Sequence, residues 1–357
     1  MTTLAPSLRA TLTQLPDYVP GRRASEPHIA RLASNESHYG PLPSVREVVL
    51  AASEQLNRYP DNSAGDLRRR IATQFGVNAD EIAVGTGSIG VLQQILAAMC
   101  DAGDEVVFAW RSFEAYPTLT ALAGASAIRV PLGADEGHVL PAMAAAVTDR
   151  TRVVLICSPN NPTGTRVPTE DLERFLDAVP ARVLVVVDEA YTEFADFGTD
   201  SISLFRSHPN VALLRTFSKA YGLAGLRVGY AIAHSELAAG LRRAALPFGV
   251  SALAQRAAIA SLDAEEEIEA RVAAVVAERR RIIDRLRGAG WSITESQANF
   301  VWLRLDDSHR ERIVAAFDAQ DVIVRGYAGD GVRITLADPA TNDRVLAVLA
   351  TPTAFGL

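Results

Sequence analysis

The period of the apolar residues changes several times along the chain. Residues 1–40 are rich in proline and polar residues without a clear period, which predicts an arm lying on the body or on a partner subunit. Pro43 and Ser44 then open SVREVVLAASEQL, an amphipathic helix. NRYPDNSAG reads as a loop, and GDLRRRIATQF as a second helix closed by Gly76. From Glu81 short apolar runs alternate with helical segments. EIAV leads to a helix from Ser88, EVVFAW to one from Phe113, ASAIRV to Pro141–Val147, and RVVLIC to Thr169–Ala178. RVLVVVDEA, NVALLRTF and VGYAIA follow. This alternation predicts an α/β fold with a mostly parallel sheet and helices on both faces. VLVVV is apolar at every position, as a strand covered on both faces requires.

After about residue 235 helices dominate, with one long helical pattern over Asp263–Gly288. WSIT, NFVWLRL, DVIVRG and GVRITL read as strands of a smaller α+β domain. The expected division is an arm over 1–40, a large domain over 41–260, and a small domain over 261–357 that packs with part of the arm.

Composition narrows the class without changing the fold reading. At 357 residues, 48% hydrophobic and 22% charged, the chain has the make-up of a soluble protein with a sizeable core. The net charge is −7 and the basic residues are scattered, so no nucleic-acid footprint is expected. The densest basic runs, Arg68–Arg70 and Arg279–Arg281, read as solvated helix faces. No apolar run is long enough for a membrane span or a signal peptide. Cys100 and Cys157 sit in apolar runs as buried small hydrophobes, which suits a reducing cytoplasm. The six histidines show no metal-ligand spacing, so no metal is expected.

Chemistry is concentrated in a few stretches. In TFSKAYGLAGLRVGY (residues 216–230), Lys219 lies between two apolar runs, on a predicted loop between strands. Its apolar surroundings suit a depressed pKa and Schiff-base chemistry; an ordinary loop lysine is the alternative. GTGSIG at Gly85–Gly90 follows a strand and opens a helix. It fits a dinucleotide fingerprint, but the acid that fingerprint wants at the end of the next strand is missing, since that strand ends in AWRS. An anion site on the amides of Ser88 and Ile89, or merely a tight turn, remains. SPNNPTG places Asn161 after a strand, as a ligand donor or a polar turn. VVVDEAYTEF ends a buried strand in Asp188, with Tyr191 close behind; a buried carboxylate there calls for a cationic partner, and a capping or surface Asp is the alternative. Arg227 suits a phosphate, and Arg325 and Arg333, flanking GYAGDG, suit a carboxylate or surface ion pairs.

Together these stretches resemble the pyridoxal-phosphate-dependent aminotransferases of fold type I, and most closely the histidinol-phosphate aminotransferase group. The matches run in order through LASNES and YGPLP, NRYPD, GTGS, SPNNPTG, DEAYTEF, TFSKAYGLAGLRVGY, NFVWL and GVRIT, from Leu32 to Leu336. Within that group LASNES, AWRSFEAYP, PFGVS and SQANFVWL are similar to the aromatic amino-acid (phenylalanine) aminotransferase branch. His38 in place of the proline of Asn-Pro-Tyr-Gly, and GSIG in place of GSDE, favour that branch.

The resemblance implies a large domain with a mostly parallel seven-stranded sheet and the cofactor pyridoxal 5'-phosphate. Lys219 would hold the cofactor and then carry the α-proton. Asp188 would pair with the ring nitrogen, Asn161 and Tyr191 with the phenolic oxygen, and Phe113 would stack on the ring. Ser88, Ile89, Ser218 and Arg227 would hold the phosphate. Tyr59 of NRYP would reach the neighbouring subunit's phosphate, making composite sites in a homodimer. Arg333 would grip the substrate carboxylate, with Tyr18 and Arg325 as further pocket residues. The Asn161–Pro162 bond would be cis. The implied reaction is ping-pong transfer from an aromatic amino acid to 2-oxoglutarate; the alternatives are a histidinol-phosphate aminotransferase, a decarboxylase or lyase on this fold, and a non-catalytic cofactor-binding module.

Overall fold

The computed structural model describes residues 28–196 and 200–357, together with Arg9, Thr13, Leu15 and Glu26. Tyr18 lies outside the described residues.

Seven strands form the main sheet: β2 (Ile82–Gly85), β3 (Glu105–Trp110), β4 (Ser126–Pro131), β5 (Thr151–Cys157), β6 (Leu184–Asp188), β7 (Val211–Thr216) and β8 (Gly229–Ile232). Their order is β2-β8-β7-β6-β5-β3-β4. β4, β3, β5, β6 and β7 run parallel, and β8 is antiparallel to both β7 and β2. The apolar runs alternate between two cores. Val107, Val154, Val185 and Leu213 join one, while Val106, Val153, Val186 and Leu214 join the other. That division is why these strands lack polar positions: both faces are covered by helices. Because β2 and β7 are both antiparallel to β8, the carboxyl ends of β2, β3, β5, β6 and β7 lie at one edge, where ligands bind in open α/β sheets.

The predicted helices appear with small shifts. Pro43–Ser53 starts on its proline, Gly65–Phe75 ends at left-handed Gly76, and Thr169–Ala178 has the expected bounds. The helix expected from Phe113 begins at Ala115. The long pattern over Asp263–Gly288 is a single helix, Glu265–Gly288, and a separate helix, Ala252–Asp263, ends just before it at Ala264, whose ψ of 41° is not helical. Three glutamates fill the first turn after the break and complement the helix dipole.

A third core forms around β9 (Phe300–Arg304), β11 (Arg325–Tyr327) and β12 (Gly331–Thr335), an antiparallel sheet in the order β11-β12-β9. DVIVRG, expected as one strand, divides at Val324. Its first half, β10 (Val322–Ile323), pairs in parallel with β1 (Ala30–Arg31), and its second half is β11. WSIT is not a strand: buried Trp291 donates to Leu349 O at 2.9 Å and Thr294 to Thr163 O at 2.9 Å, so side chains anchor this segment. The Arg279–Arg281 run is not a solvated face throughout. Arg279 is buried, paired with Asp196 at 2.9 Å and donating to Phe194 O at 2.5 Å. Both cysteines are buried and free. Among the described residues no helix is long and apolar enough to cross a membrane.

Candidate active site

A cavity of about 330 Å³ opens at the carboxyl edge of the main sheet, and the segment 33–36 and strands β11 and β12 close its other side. Its lining includes Ser88, Ile89, Phe113, Asn161, Asp188, Tyr191, Ser218, Lys219, Arg227, Arg325 and Arg333. A larger groove of about 690 Å³ lies elsewhere, beside Asn62, Thr86 and Leu246–Val250, and contains none of these residues.

On the main-sheet side the lining residues stand at strand ends or in the turns that follow them, whereas Arg325 and Arg333 project from strands β11 and β12. Gly85 ends β2, and the helix Gly87–Met99 begins at once, so Ser88 and Ile89 fall in its first turn, where backbone N–H groups have no partner within the helix. Gly87 sits at φ 78°, where a side chain is strained, and a Cβ there would displace the Arg227 guanidinium. A Cβ on Gly229 would fall 2.5 Å from Ser88 N. Two glycines thus bring a helix N-terminus and an arginine together. Arg227 itself is left-handed (φ 55°), and its Nη1 donates to Ser218 Oγ at 3.2 Å and Ala224 O at 2.9 Å. This cradle suits a phosphate.

Asp188 ends β6, and within the protein its carboxylate is held by neutral donors. Tyr116 donates to its Oδ2 at 2.6 Å and Ala190 N to its Oδ1 at 3.2 Å. It is Glu189 next door that takes the cation, Arg215, at 2.9 Å. Burial raises the Asp188 carboxyl to about 6, against the lowering by these hydrogen bonds. Lys219 lies on the loop between β7 and β8, as predicted, and donates from Nζ to Ser34 O at 3.0 Å. Burial, and next the charge of Arg333, lower its ammonium from 10.5 to about 7, so a large share of the amine is neutral at neutral pH.

On the opposite wall Arg333, 5% exposed, donates to Asn161 Oδ1 and to Ala33 O, each at 2.5 Å. Asn161 lines the cavity with its side-chain oxygen accepting from Arg333. Arg325 pairs with Glu114, with both carboxylate oxygens 3.0 Å from Nη2. The bonds before Pro159 and Pro162 are cis.

Two expected residues stand apart. Tyr59 is 82% exposed, stacked on Phe248 at 4.6 Å, and lines no part of this cavity. His38, which sequence reasoning tied to substrate choice, packs on Tyr39 at 4.0 Å and faces a smaller cleft beside Arg271. Three contributors were missed: Tyr116, Asn35 and Glu114. Tyr116 lies three residues after Phe113, in the first turn of the helix Ala115–Leu122, and the two rings meet edge to face at 5.6 Å.

Comparison with known proteins agrees with this geometry. Residues 27–349 match the family model for class I and II aminotransferases. The chain belongs to that family, the pyridoxal-phosphate-dependent aminotransferases of fold type I. It is 53% identical to the aromatic amino acid aminotransferase of Streptomyces coelicolor over 98% of each chain, and 51% identical to that of Thermobifida fusca over 97% of each. Among solved structures, histidinol-phosphate aminotransferase from Sinorhizobium meliloti in complex with pyridoxal-5'-phosphate superposes with a TM-score of 0.87 at 30% identity, covering 99% of both chains. The cavity fits that cofactor: an anion cradle kept open by two glycines, a buried carboxylate, and a lysine with a lowered pKa are the donor set its phosphate, ring nitrogen and aldehyde require.

Proposed function

We propose that the chain is an aromatic amino-acid aminotransferase, moving the amino group of phenylalanine or tyrosine to 2-oxoglutarate in a ping-pong cycle. The observation that carries the choice of substrate is the Arg325–Glu114 pair at the cavity wall. A histidinol-phosphate site must receive a phosphate dianion, and Glu114 opposes one while occupying Arg325. The names of the relatives at about half identity support the same reading.

Bound pyridoxal phosphate supplies an aldehyde for the amine and an electron sink for the α-carbon. Ser88, Ile89, Ser218 and Arg227 would hold its phosphate, and Phe113 would lie against its ring. Asp188, steadied by Tyr116, would keep the ring nitrogen protonated. Asn161 and Tyr191 would donate to the phenolic oxygen. Arg333 binds the carboxylate common to both substrates. Lys219 would take the α-proton as a neutral amine and deliver it again as a general acid. Its lowered pKa supports that role at neutral pH.

The same reading makes the enzyme a cytoplasmic homodimer. Exposed Leu56, Tyr59, Leu246 and Phe248 form an apolar face that a second copy covers, with Tyr59 completing the neighbouring phosphate site. It also divides the chain into the arm over 1–40, a large domain over 41–260 and a small domain over 261–357. The test is steady-state kinetics with phenylalanine and 2-oxoglutarate against histidinol phosphate. The proposal expects the larger kcat/KM for phenylalanine; a large preference for histidinol phosphate overturns it.

A further inference from the structure

Three consecutive residues after β1 each hold a different side chain of the site. Ala33 O accepts from Arg333, Ser34 O accepts from Lys219, and Asn35 Nδ2 donates to the Tyr191 hydroxyl at 2.9 Å. Asn35 is 1% exposed and left-handed at φ 53°, a conformation that Asn adopts more readily than most residues. Its amide is oriented by Thr335. The Asn35 backbone N–H donates to Thr335 Oγ1 at 3.0 Å, and that hydroxyl donates to Asn35 Oδ1 at 2.9 Å. With the carbonyl side accepting from β12, the NH2 side faces Tyr191. The tyrosine oxygen therefore acts as acceptor toward Asn35, and its own proton is left for an acceptor in the cavity it lines.

We infer that Asn35 is a positioning residue that commits Tyr191 to donate its proton into the cavity. This rests on the reading above, in which Tyr191 faces the phenolic oxygen of the cofactor. A donor there favours the ionised oxygen and lowers the pH at which the lysine-bound chromophore takes up its proton. Asn35→Asp keeps the size and the backbone preference but replaces the donor with an acceptor. The Tyr191 proton then turns to residue 35 and away from the cavity.

The experiment is a spectroscopic pH titration of the holoenzyme, reading the bound chromophore rather than turnover. N35D is measured in the natural background and with Tyr191→Phe. The expected result is a midpoint raised by about one pH unit when Tyr191 is present, and by much less when it is Phe. The added negative charge of N35D acts in both backgrounds, so the difference isolates the tyrosine. Thr335→Val adds no charge and frees the amide to turn; it raises the midpoint by a smaller amount, and it decides the matter if N35D does not fold. An unmoved midpoint, or an equal shift in the Y191F background, overturns the assignment. A natural enzyme with no chromophore dependent on Lys219 overturns the cofactor reading instead.

Discussion

On the wall of the cavity built from the main sheet, Asp188 and Lys219 are hydrogen-bonded to neutral groups: the Tyr116 hydroxyl, the Ala190 amide and the Ser34 carbonyl. On the opposite wall, Arg333 is fixed by two oxygens and Arg325 by a carboxylate. The contrast shows in the proton affinities. Burial moves Asp188 up to about 6 and Lys219 down to about 7, bringing an acid and a base toward one another near neutral pH. Arginine cannot be moved in this way and keeps its charge, so the second wall offers fixed cations. On the proposed function, proton chemistry belongs to the first wall and substrate selection to the second.

The largest expected effect comes from removing the base. Lys219→Ala lowers kcat by on the order of 10⁴-fold or more while substrate still binds, measured by single-turnover rates. Next is Arg333→Leu, which leaves Asn161 and Ala33 O without their donor. Losing one member of a buried charged contact costs about 2–5 kcal/mol, so kcat/KM falls by roughly 30-fold or more for amino acid and oxo acid alike. A loss confined to one substrate contradicts Arg333 as the shared anchor. Glu114→Ala sharpens the selection side: it releases Arg325 toward the cavity and raises the preference for dicarboxylate over aromatic substrate by about tenfold, read from competition between them.

The smallest effect lies in the pH dependence of the apoprotein's stability. Between pH 7 and 10.5 the unfolded chain carries a proton on Lys219 that the folded chain has lost. The unfolded state binds more protons, so stability rises with pH across that window. Lys219→Met removes this rise, measured by urea midpoints at several pH values. Asp188 acts with the opposite sign. Its folded carboxyl holds a proton between 3.8 and about 6 that the unfolded one has released, so its contribution falls as pH rises through that window, and Asp188→Asn abolishes the fall.

The first wall was largely legible in the sequence. Each strand of the main sheet is a short apolar run, and its functional residue stands just past the end of the run, as Asp188, Asn161 and Lys219 do. The second wall was legible only as isolated arginines. The pairing of Arg325 with Glu114 and of Asn35 with Tyr191 joins residues far apart in the chain, and no local period carries that information. The break of DVIVRG into two strands was hidden for a similar reason. Half of that run pairs with β1, at the other end of the chain. WSIT failed because its apolar residues are used for packing without a ladder. Tyr116 stands three residues after Phe113 in the sequence, but a buried hydroxyl as the partner of Asp188 needs the fold to be seen.

The most direct test is the half-reaction. Cofactor-loaded protein is mixed with phenylalanine in the absence of any oxo acid, and the products are counted per site. The account predicts one equivalent of phenylpyruvate, no carbon dioxide, retention of the amino group until 2-oxoglutarate is added, and none of this with Lys219→Ala. Release of carbon dioxide, or continued turnover without an acceptor, contradicts it.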